Sequence, residues 1–168
     1  MMQRRTADVD PAPRRAGAVV AFLGLVTAMG NVAAEESRAS AHGHHDPHST
    51  IGIFVGDTTE RRRDGFTLGI EYEYRASRRL GIGLTAEHAG GDFDTNVFVL
   101  PVALHEGPWK LYAGPGVESG EEGEEPLLRV GVEYGLRVGE YEVSPQIDLD
   151  FVDGERLFVF GLVLSREF

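Results

Sequence analysis

The sequence predicts an all-β protein that folds as an eight-stranded antiparallel up-and-down barrel. Three observations lead to this prediction. Apolar and polar residues alternate with period two from residue 50 onward, turn residues separate the alternating segments, and glycines fall on the charged face. The length of 168 residues fits one domain. A formal charge of −11 argues against a nucleic-acid partner, and the absence of cysteine excludes disulfides and thiolate metal sites.

Residues 1–34 are predicted to be a cleaved signal peptide. Two arginine pairs come first, an apolar stretch spans 16–29, and the small side chains of Val32 and Ala34 place the cleavage before Glu35. A basic, then apolar, then small-residue order is typical of secretory signals. Cleavage removes four arginines and two aspartates, which changes the formal charge from −11 to −13. The mature chain is therefore expected to be an exported, acidic protein.

Residues 35–49 are predicted to be a flexible lead-in on the periplasmic side, because they show no apolar periodicity. The segment contains His42, His44, His45 and His48. Clustered imidazoles can bind zinc, copper or nickel, but a tail lacks the further hydrogen-bonding groups that orient metal ligands. Metal binding by these histidines stays open at this point, and the sequence assigns neither a metal nor a cofactor.

Eight segments of the domain 50–168 are predicted to be β-strands. The clearest are 66–75, 128–138 and 141–151, in which one face is apolar and the other is polar or glycine. A helix would distribute the same apolar residues all around its axis. The noisier segments are 51–58, 80–87, 96–105, 109–118 and 157–168. Long connections at 59–65, 88–95 and 119–127 alternate with short ones at 76–79, 106–108 and 139–140, which indicates a meander of hairpins closed into a barrel.

The composition of the polar face predicts which side of the barrel points inward. Glycine weakens a strand, so a glycine inside a strand needs an explanation. In the interior of a narrow barrel side chains crowd one another, and a position without a side chain leaves room for a long charged one. We therefore expect a transmembrane β-barrel with its polar face in the lumen and its apolar face in lipid. The alternative is a soluble periplasmic lipocalin-like barrel that binds small molecules, which needs the apolar face inside. The glycines of the polar face are Gly69, Gly81, Gly83, Gly114, Gly116, Gly131, Gly135 and Gly161, and its other members include Glu87, Tyr112, Gln146, Asp148, Asp150 and Glu167.

Aromatic residues are expected to mark the two membrane interfaces. Tyr74, Trp109, Tyr141 and Phe168 all lie on the apolar face next to the predicted short turns. Phe66 and Phe151 lie on the same face at the opposite ends of their segments. Belts of aromatic residues at both interfaces are typical of membrane barrels.

Charged residues of the polar face are expected to cross the lumen as ion pairs, for example Arg129 with Glu118 and Arg137 with Glu142. Eight strands enclose an interior only wide enough for side chains, so passage of large solutes is excluded. A narrow, cation-favouring pore or transporter is a second interpretation, because carboxylates outnumber basic groups in the lumen. The lumen ion-pair candidates are Glu71, Glu73, Arg75, Lys110, Glu118, Arg129, Glu133, Arg137 and Glu142.

Other motifs of the barrel domain give weaker indications. His88 and His105 have no serine beside them in their own segments, so no catalytic residues are assigned and the chain is not expected to be an enzyme. Four glutamates in 121–125 are interpreted as a solvated outer loop. The arginines in 60–64 are expected to meet lipid phosphates.

The last strand carries a specific resemblance. It ends in Phe168, preceded at alternate positions by Leu164, Leu162 and Phe160, with Arg166 where an aromatic or aliphatic residue is usual. This pattern resembles the small eight-stranded outer-membrane barrels of the OmpA/OmpX type, in the porin-like superfamily. The resemblance implies an outer-membrane location and an assembly signal formed by these four residues for the outer-membrane barrel assembly machinery. It also implies a monomer that contacts outer-membrane lipids and lipopolysaccharide, with a structural or surface-interaction role.

Overall fold

The computed structural model describes residues 48–121 and 123–168. The predicted signal peptide and His42, His44 and His45 lie outside these residues. No helix in the described part of the chain is long and apolar enough to cross a membrane. The described residues form ten strand segments, with the following bounds: β1 His48–Glu60, β2 Arg63–Arg75, β3 Leu80–Ala89, β4 Thr95–Val99, β5 Val102–Glu106, β6 Trp109–Gly120, β7 Gly123–Tyr134, β8 Leu136–Val138, β9 Tyr141–Val152 and β10 Glu155–Glu167.

These ten segments make eight barrel strands, because two strands are interrupted. β4 and β5 both pair with β3 and with β6, and the break between them falls at Leu100 and Pro101. Proline has no N–H to donate, yet the Pro101 carbonyl still accepts from Gly83 at 2.8 Å and the Leu100 N–H still donates to Pro115 at 2.9 Å. β7 and β8 both pair with β9 and are separated by Gly135.

Each strand pairs antiparallel with its neighbours in sequence, and the last strand closes on the first. Residues 50–59 of β1 pair with residues 167–158 of β10. Ser49 and Phe168 extend this ladder through two backbone hydrogen bonds of 3.0 and 2.8 Å. Closure leaves no unpaired edge, which is the condition for a β-sheet to lie in lipid. The predicted eight-stranded antiparallel up-and-down barrel is confirmed.

The connections are shorter than the sequence predicted. The predicted long loops at 59–65 and 119–127 shrink to two-residue turns, since Glu60 pairs with Arg63 and Gly120 with Gly123. The third, at 88–95, is reduced to residues 90–94. Near these strand ends the outward side chains become polar, so apolar alternation disappears while the backbone ladder continues. We call the end with the turns 76–79, 107–108 and 139–140 the terminal rim and the other end the distal rim.

The apolar face points outward and the charged face inward. Large apolar side chains on the outside are exposed, for example Ile70 at 59% and Leu162 at 54%, whereas Arg129 inside is 1% exposed. This is the reverse of a lipocalin-like arrangement. Exposed aromatic residues lie near both rims, as predicted: Tyr74, Trp109, Tyr141 and Phe168 near the terminal rim, and Phe66 and Phe151 toward the distal rim.

A pair of glycines makes room for a phenylalanine ring that is fully buried in the lumen. Gly56 and Gly161 are opposite each other on β1 and β10, and Phe54 beside them has no exposed surface. A Cβ atom at Gly161 would lie 2.7 Å from a Phe54 ring carbon and 2.7 Å from the Cα of Gly56. Both contacts are far inside van der Waals distance, so the ring and the two backbones leave no space for a methyl group.

We expect the substitution Gly161→Ala to lower the free energy of unfolding by about 1–3 kcal/mol, because it overpacks this contact. Urea titration of the protein refolded in lipid vesicles measures the change. The matched control is Gly90→Ala, where a Cβ atom would have its nearest neighbours at 3.8 and 3.9 Å. Equal effects of the two variants would contradict the packing argument.

Candidate functional site

A buried arginine lies at the centre of the lumen. Arg129 of β7 donates from Nε and Nη2 to the two carboxylate oxygens of Asp150 on β9, both at 2.7 Å. It donates from Nη1 and Nη2 to the two oxygens of Glu87 on β3, again at 2.7 Å. The three side chains are at most 3% exposed. Such bidentate, charge-assisted pairs are the strongest hydrogen bonds between side chains.

A second set of hydrogen bonds extends this centre, and together they form what we call the Arg129 cluster: Arg129, Glu87, Asp150, Asp148, Tyr112 and Gln146. The hydroxyl of Tyr112 donates to Asp148, and Gln146 Nε2 donates to the other oxygen of Asp148 at 2.8 Å. Asp148 Oδ2 also lies 3.8 Å from Arg129 Nη1. Residues from β3, β6, β7 and β9 therefore meet inside the barrel.

Glycines on neighbouring strands provide the space for these long side chains. Gly69 pairs with Glu87, Gly114 with Arg129 and Gly131 with Asp148. A Cβ atom at Gly69 would lie 2.6 Å from Cγ of Glu87, and one at Gly131 would collide with Asp148 and Tyr112. The glycines of the charged face are thus placed opposite the residues of the Arg129 cluster.

A second charged group lies between the Arg129 cluster and the terminal rim. Lys110 forms an ion pair with Glu133 and lies 3.7 Å from carboxylate oxygens of both Glu71 and Glu73. His105 Nε2 donates to Glu73 Oε1 at 2.6 Å. Arg75 Nη2 donates to Nδ1 of the same imidazole. Three carboxylates and three basic side chains meet here, and each carboxylate has a positive or hydrogen-bonding partner.

Two open cavities flank the filled centre. The one at the terminal rim has a volume of about 500 Å³ and includes Glu71, Glu73, Lys110, Glu133 and Glu142 in its wall. The one at the distal rim has a volume of about 580 Å³ and is lined mainly by acidic residues. Arg129, Glu87, Asp148 and Asp150 line neither cavity. The Arg129 cluster and Phe54 therefore separate the two.

The structure places the predicted lumen candidates in three regions. Glu71, Glu73, Arg75, Lys110 and Glu133 come together near the terminal rim, and Glu142 lines the cavity there. Arg129 is at the centre, and Glu118 lines the distal cavity. Arg137 lies at the terminal rim with its side chain 79% exposed.

Neither of the two expected ion pairs forms. Arg129 was expected to pair with Glu118, but it bonds to Glu87 and Asp150, because the register puts Glu118 opposite Glu125 on the distal side. Arg137 is opposite Glu142 in the ladder, as the hairpin predicts, yet its guanidinium lies 3.7 Å from Glu167 on β10. Glu87, Asp148 and Asp150 were not among the ion-pair candidates, although the alternation placed all three on the polar face. In the ladder Glu87 and Asp148 each lie opposite a glycine, and Asp150 lies opposite Arg129 and Leu157.

The predicted assembly-signal residues lie on the outer surface, whereas His48 lines the cavity at the terminal rim. Phe160, Leu162, Leu164 and Phe168 all point outward and are exposed. Arg166 continues this outward series, donates to Glu140 at 3.2 Å and lies 5.9 Å from the ring of Tyr141. His48 lies 3.7 Å from Glu167 at the terminal rim. Among the described residues, no group of three or more His, Asp or Glu side chains is arranged to hold a metal ion.

We expect Arg129→Leu to lower the free energy of unfolding by about 3–5 kcal/mol, because Glu87 and Asp150 are left as buried, unpaired charges. Urea unfolding of the protein in lipid vesicles measures this change in the free energy of unfolding. The control is Arg137→Leu, which breaks an exposed pair at 3.7 Å and is expected to change stability by less than about 1 kcal/mol. If both variants unfold at the same urea concentration, the central role of Arg129 in stability is wrong.

Comparisons with known proteins establish the fold. No family model and no curated protein matches this sequence. Among solved structures, the chain is similar to the N-terminal β-barrel domain of OprF from Pseudomonas aeruginosa, with 13% identity and a TM-score of 0.54 over 73% of this chain and 100% of that chain. It is also similar to the Yersinia pestis outer membrane protein Ail in a phospholipid bilayer nanodisc, with 11% identity and a TM-score of 0.50 over 73% and 100%. The chain has the fold of the small eight-stranded outer-membrane β-barrels of the OmpA/OmpX type.

Proposed function

We propose that the protein is an integral outer-membrane β-barrel with a closed lumen and a structural or surface-interaction role. The observation that carries this proposal is the inversion of the barrel: large exposed apolar side chains surround an interior whose centre consists of buried, paired charges, with two apolar clusters of seven and three residues beside them. In water this outer surface would form an apolar patch far larger than soluble monomers expose. In a bilayer the same side chains contact lipid, and the closure of β10 on β1 leaves no open sheet edge among the described strands.

Both ends of the sequence support an outer-membrane location. The basic and apolar segment in 1–34 has the order of an export signal. At the other end, Phe160, Leu162, Leu164 and Phe168 form an outward apolar row on β10, the strand that closes the barrel. In the proposed role, this row is the signal for the barrel assembly machinery, and the outer face contacts outer-membrane lipids and lipopolysaccharide as a monomer.

The filled centre of the lumen favours a closed barrel rather than an open pore. An ion that crosses the lumen has to break the four hydrogen bonds of 2.7 Å that Arg129 makes with Glu87 and Asp150. Each buried charge of that set is stabilised only by its partners, so opening it is expensive. The excess of carboxylates that suggested a cation-favouring pore is accommodated by Arg129, Lys110 and hydrogen bonds from Tyr112 and Gln146.

The proposal assigns no catalytic activity. The imidazole of His105 is held on both nitrogens, by Glu73 and by Arg75. His88 is exposed on the outer face and lies beside Asn96, at 3.2 Å. These contacts give each histidine a structural role.

The location is tested by cell fractionation and by gel electrophoresis without heating. We expect the full-length protein to sediment with outer membranes and to migrate differently before and after boiling, because closed barrels resist detergent. Removal of Phe168 is expected to lower the membrane-inserted amount, and Phe168→Tyr, which keeps a terminal aromatic ring, is the control. Recovery of the wild-type protein in the soluble fraction would overturn the proposal.

The closed lumen is tested by conductance across a planar lipid bilayer. We expect no stable current steps from the wild type. The triple variant E87A/R129A/D150A removes the three most tightly bonded residues of the barrier between the two cavities, leaves Asp148 with its hydrogen bonds from Tyr112 and Gln146, and is expected to conduct. Its folded state is checked by the unheated gel. Stable steps from the wild type would contradict the closed lumen, whereas a folded triple variant without current would contradict the role of these three residues as the barrier.

A further inference from the structure

The cavity at the distal rim, which we call the distal cavity, is strongly acidic. Eight carboxylates line it, whereas Arg63 is the one Lys or Arg side chain in its wall among the described residues. In the cavity at the terminal rim, six carboxylates share the wall with four Lys or Arg side chains. The two cavities therefore differ in charge, although their volumes of about 580 and about 500 Å³ are similar.

Four carboxylates of the distal cavity are placed there by the alternation of their strands. Glu60 of β1, Glu118 of β6, Glu125 of β7 and Glu155 of β10 each end the inward series of their strand and line the cavity. Glu118 and Glu125 are directly opposite each other in the ladder. The Cβ atoms of such a pair lie about 5 Å apart, and like charges in this position destabilise a sheet. The wall therefore keeps negative charges together at a cost in stability.

The protein itself does not compensate this charge. Among the described residues, ion pairs in this wall join Glu60 to Arg63 and Asp94 to His88. None is formed by Glu118, Glu125 or Glu155. The charged groups near the terminal rim and at the centre of the lumen are paired, so the distal cavity is an exception in this barrel.

Glu60 is buried and yet receives no hydrogen bond within the described residues. Its side chain is 7% exposed, and Nη1 of Arg63 lies 3.6 Å away, which is longer than a hydrogen bond. The same guanidinium donates to the Asp92 carbonyl at 3.0 Å and lies 4.5 Å from the centroid of the Phe93 ring. Buried carboxylates normally have donors, so Glu60 indicates a ligand that supplies them from the cavity.

The distal cavity also has an apolar surface. Phe93, Val152 and Leu157 line it and belong to the buried apolar cluster of seven residues. The carboxylates are spread around the wall, and no group of three or more His, Asp or Glu side chains among the described residues is arranged to hold a metal ion. Separated negative charges beside apolar surface match a ligand whose positive charges are separated by apolar groups.

We propose that the distal cavity binds an organic polyamine, a flexible chain in which methylene groups separate two or more ammonium groups. The ammonium groups donate to Glu60, Glu118 and Glu125, and the methylene groups contact Phe93 and Leu157. An ammonium group carries three donors and no acceptor, which suits a wall of carboxylates. The cavity volume lies within the range of about 300–1,000 Å³ that is usual for small-molecule sites.

The width of the barrel favours a small polyamine over a basic peptide. Eight strands enclose a lumen only wide enough for side chains, so a thin methylene chain enters it more easily than a peptide backbone with its side chains. The inference goes beyond the proposed function, because it depends on the folded barrel and not on the membrane around it.

The test is isothermal titration calorimetry of spermidine into the full-length protein, folded in an uncharged detergent at low salt. We expect the wild type to bind, with an affinity that falls as salt is added. The variant E60Q/E118Q/E125Q should bind at least about tenfold more weakly, since one ion pair in water contributes about a factor of five. The control E140Q/E142Q/E167Q removes the same number of charges at the terminal rim and is expected to bind as the wild type does.

The single variant E118Q makes the test independent of the folding of the triple variant. It removes one of two like charges that are opposite each other in the ladder, so it is expected to fold at least as well as the wild type. Its affinity for spermidine should fall about fivefold. The heat-shifted band on an unheated gel shows whether each variant is folded.

The outcomes separate the polyamine site from the proposed function. Equal affinities of the wild type and folded E60Q/E118Q/E125Q, or of the wild type and E118Q if the triple variant does not fold, would overturn the site. An equal loss in the terminal-rim control would show general charge attraction instead. Tighter binding of Mg²⁺ would identify a metal ion as the ligand, and tighter binding of trilysine would identify a basic peptide. A membrane-inserted protein that binds no spermidine contradicts only the site, whereas a wild-type protein found outside the membrane contradicts only the proposed function.

Discussion

The hydrogen bonds between Arg129, Glu87 and Asp150 determine how the interior of this barrel is filled. Eight strands enclose too little space for a layered apolar core of ordinary size. The guanidinium of Arg129 and the two carboxylates that bind it fill that space. They come from three separate strands, and all four hydrogen bonds between them measure 2.7 Å. Most large apolar residues lie on the outside, and only two apolar clusters, of seven and three residues, share the interior with the charges among the described residues. The inverted arrangement of the whole molecule depends on this charged centre being fully paired.

Glycines on neighbouring strands provide the space for these charged side chains. Each long side chain at the centre needs a neighbouring strand position with no side chain of its own, and Gly69, Gly114 and Gly131 supply these positions. Phe54 is accommodated in the same way by Gly56 and Gly161. The entropic penalty of glycine in a strand is tolerated because the barrel is closed and every backbone hydrogen bond is fixed from both sides.

The sequence was a good guide to the strands and to their orientation, and a poor one to the partners inside. Alternation along 66–75 or 141–151 is a local property, so it could be read directly. The partner of Arg129 is set by how far each strand is staggered against the next around the barrel, and no local pattern records that stagger. The ends of the strands were missed for a different reason. Around Glu60 and Gly120 the outside of the barrel is no longer apolar, so the pattern fades before the strand does.

The short turns of the distal rim have a consequence for how this protein meets its surroundings. Three of the four turns there contain two residues and the fourth contains five. A molecule that approaches the distal rim therefore meets strand ends, which are held by backbone hydrogen bonds and lose little conformational freedom on contact. The same shape leaves few extended, unpaired segments for a protease to bind. The distal rim is therefore low and rigid, and the positions of its side chains are set by the strands rather than by long loops.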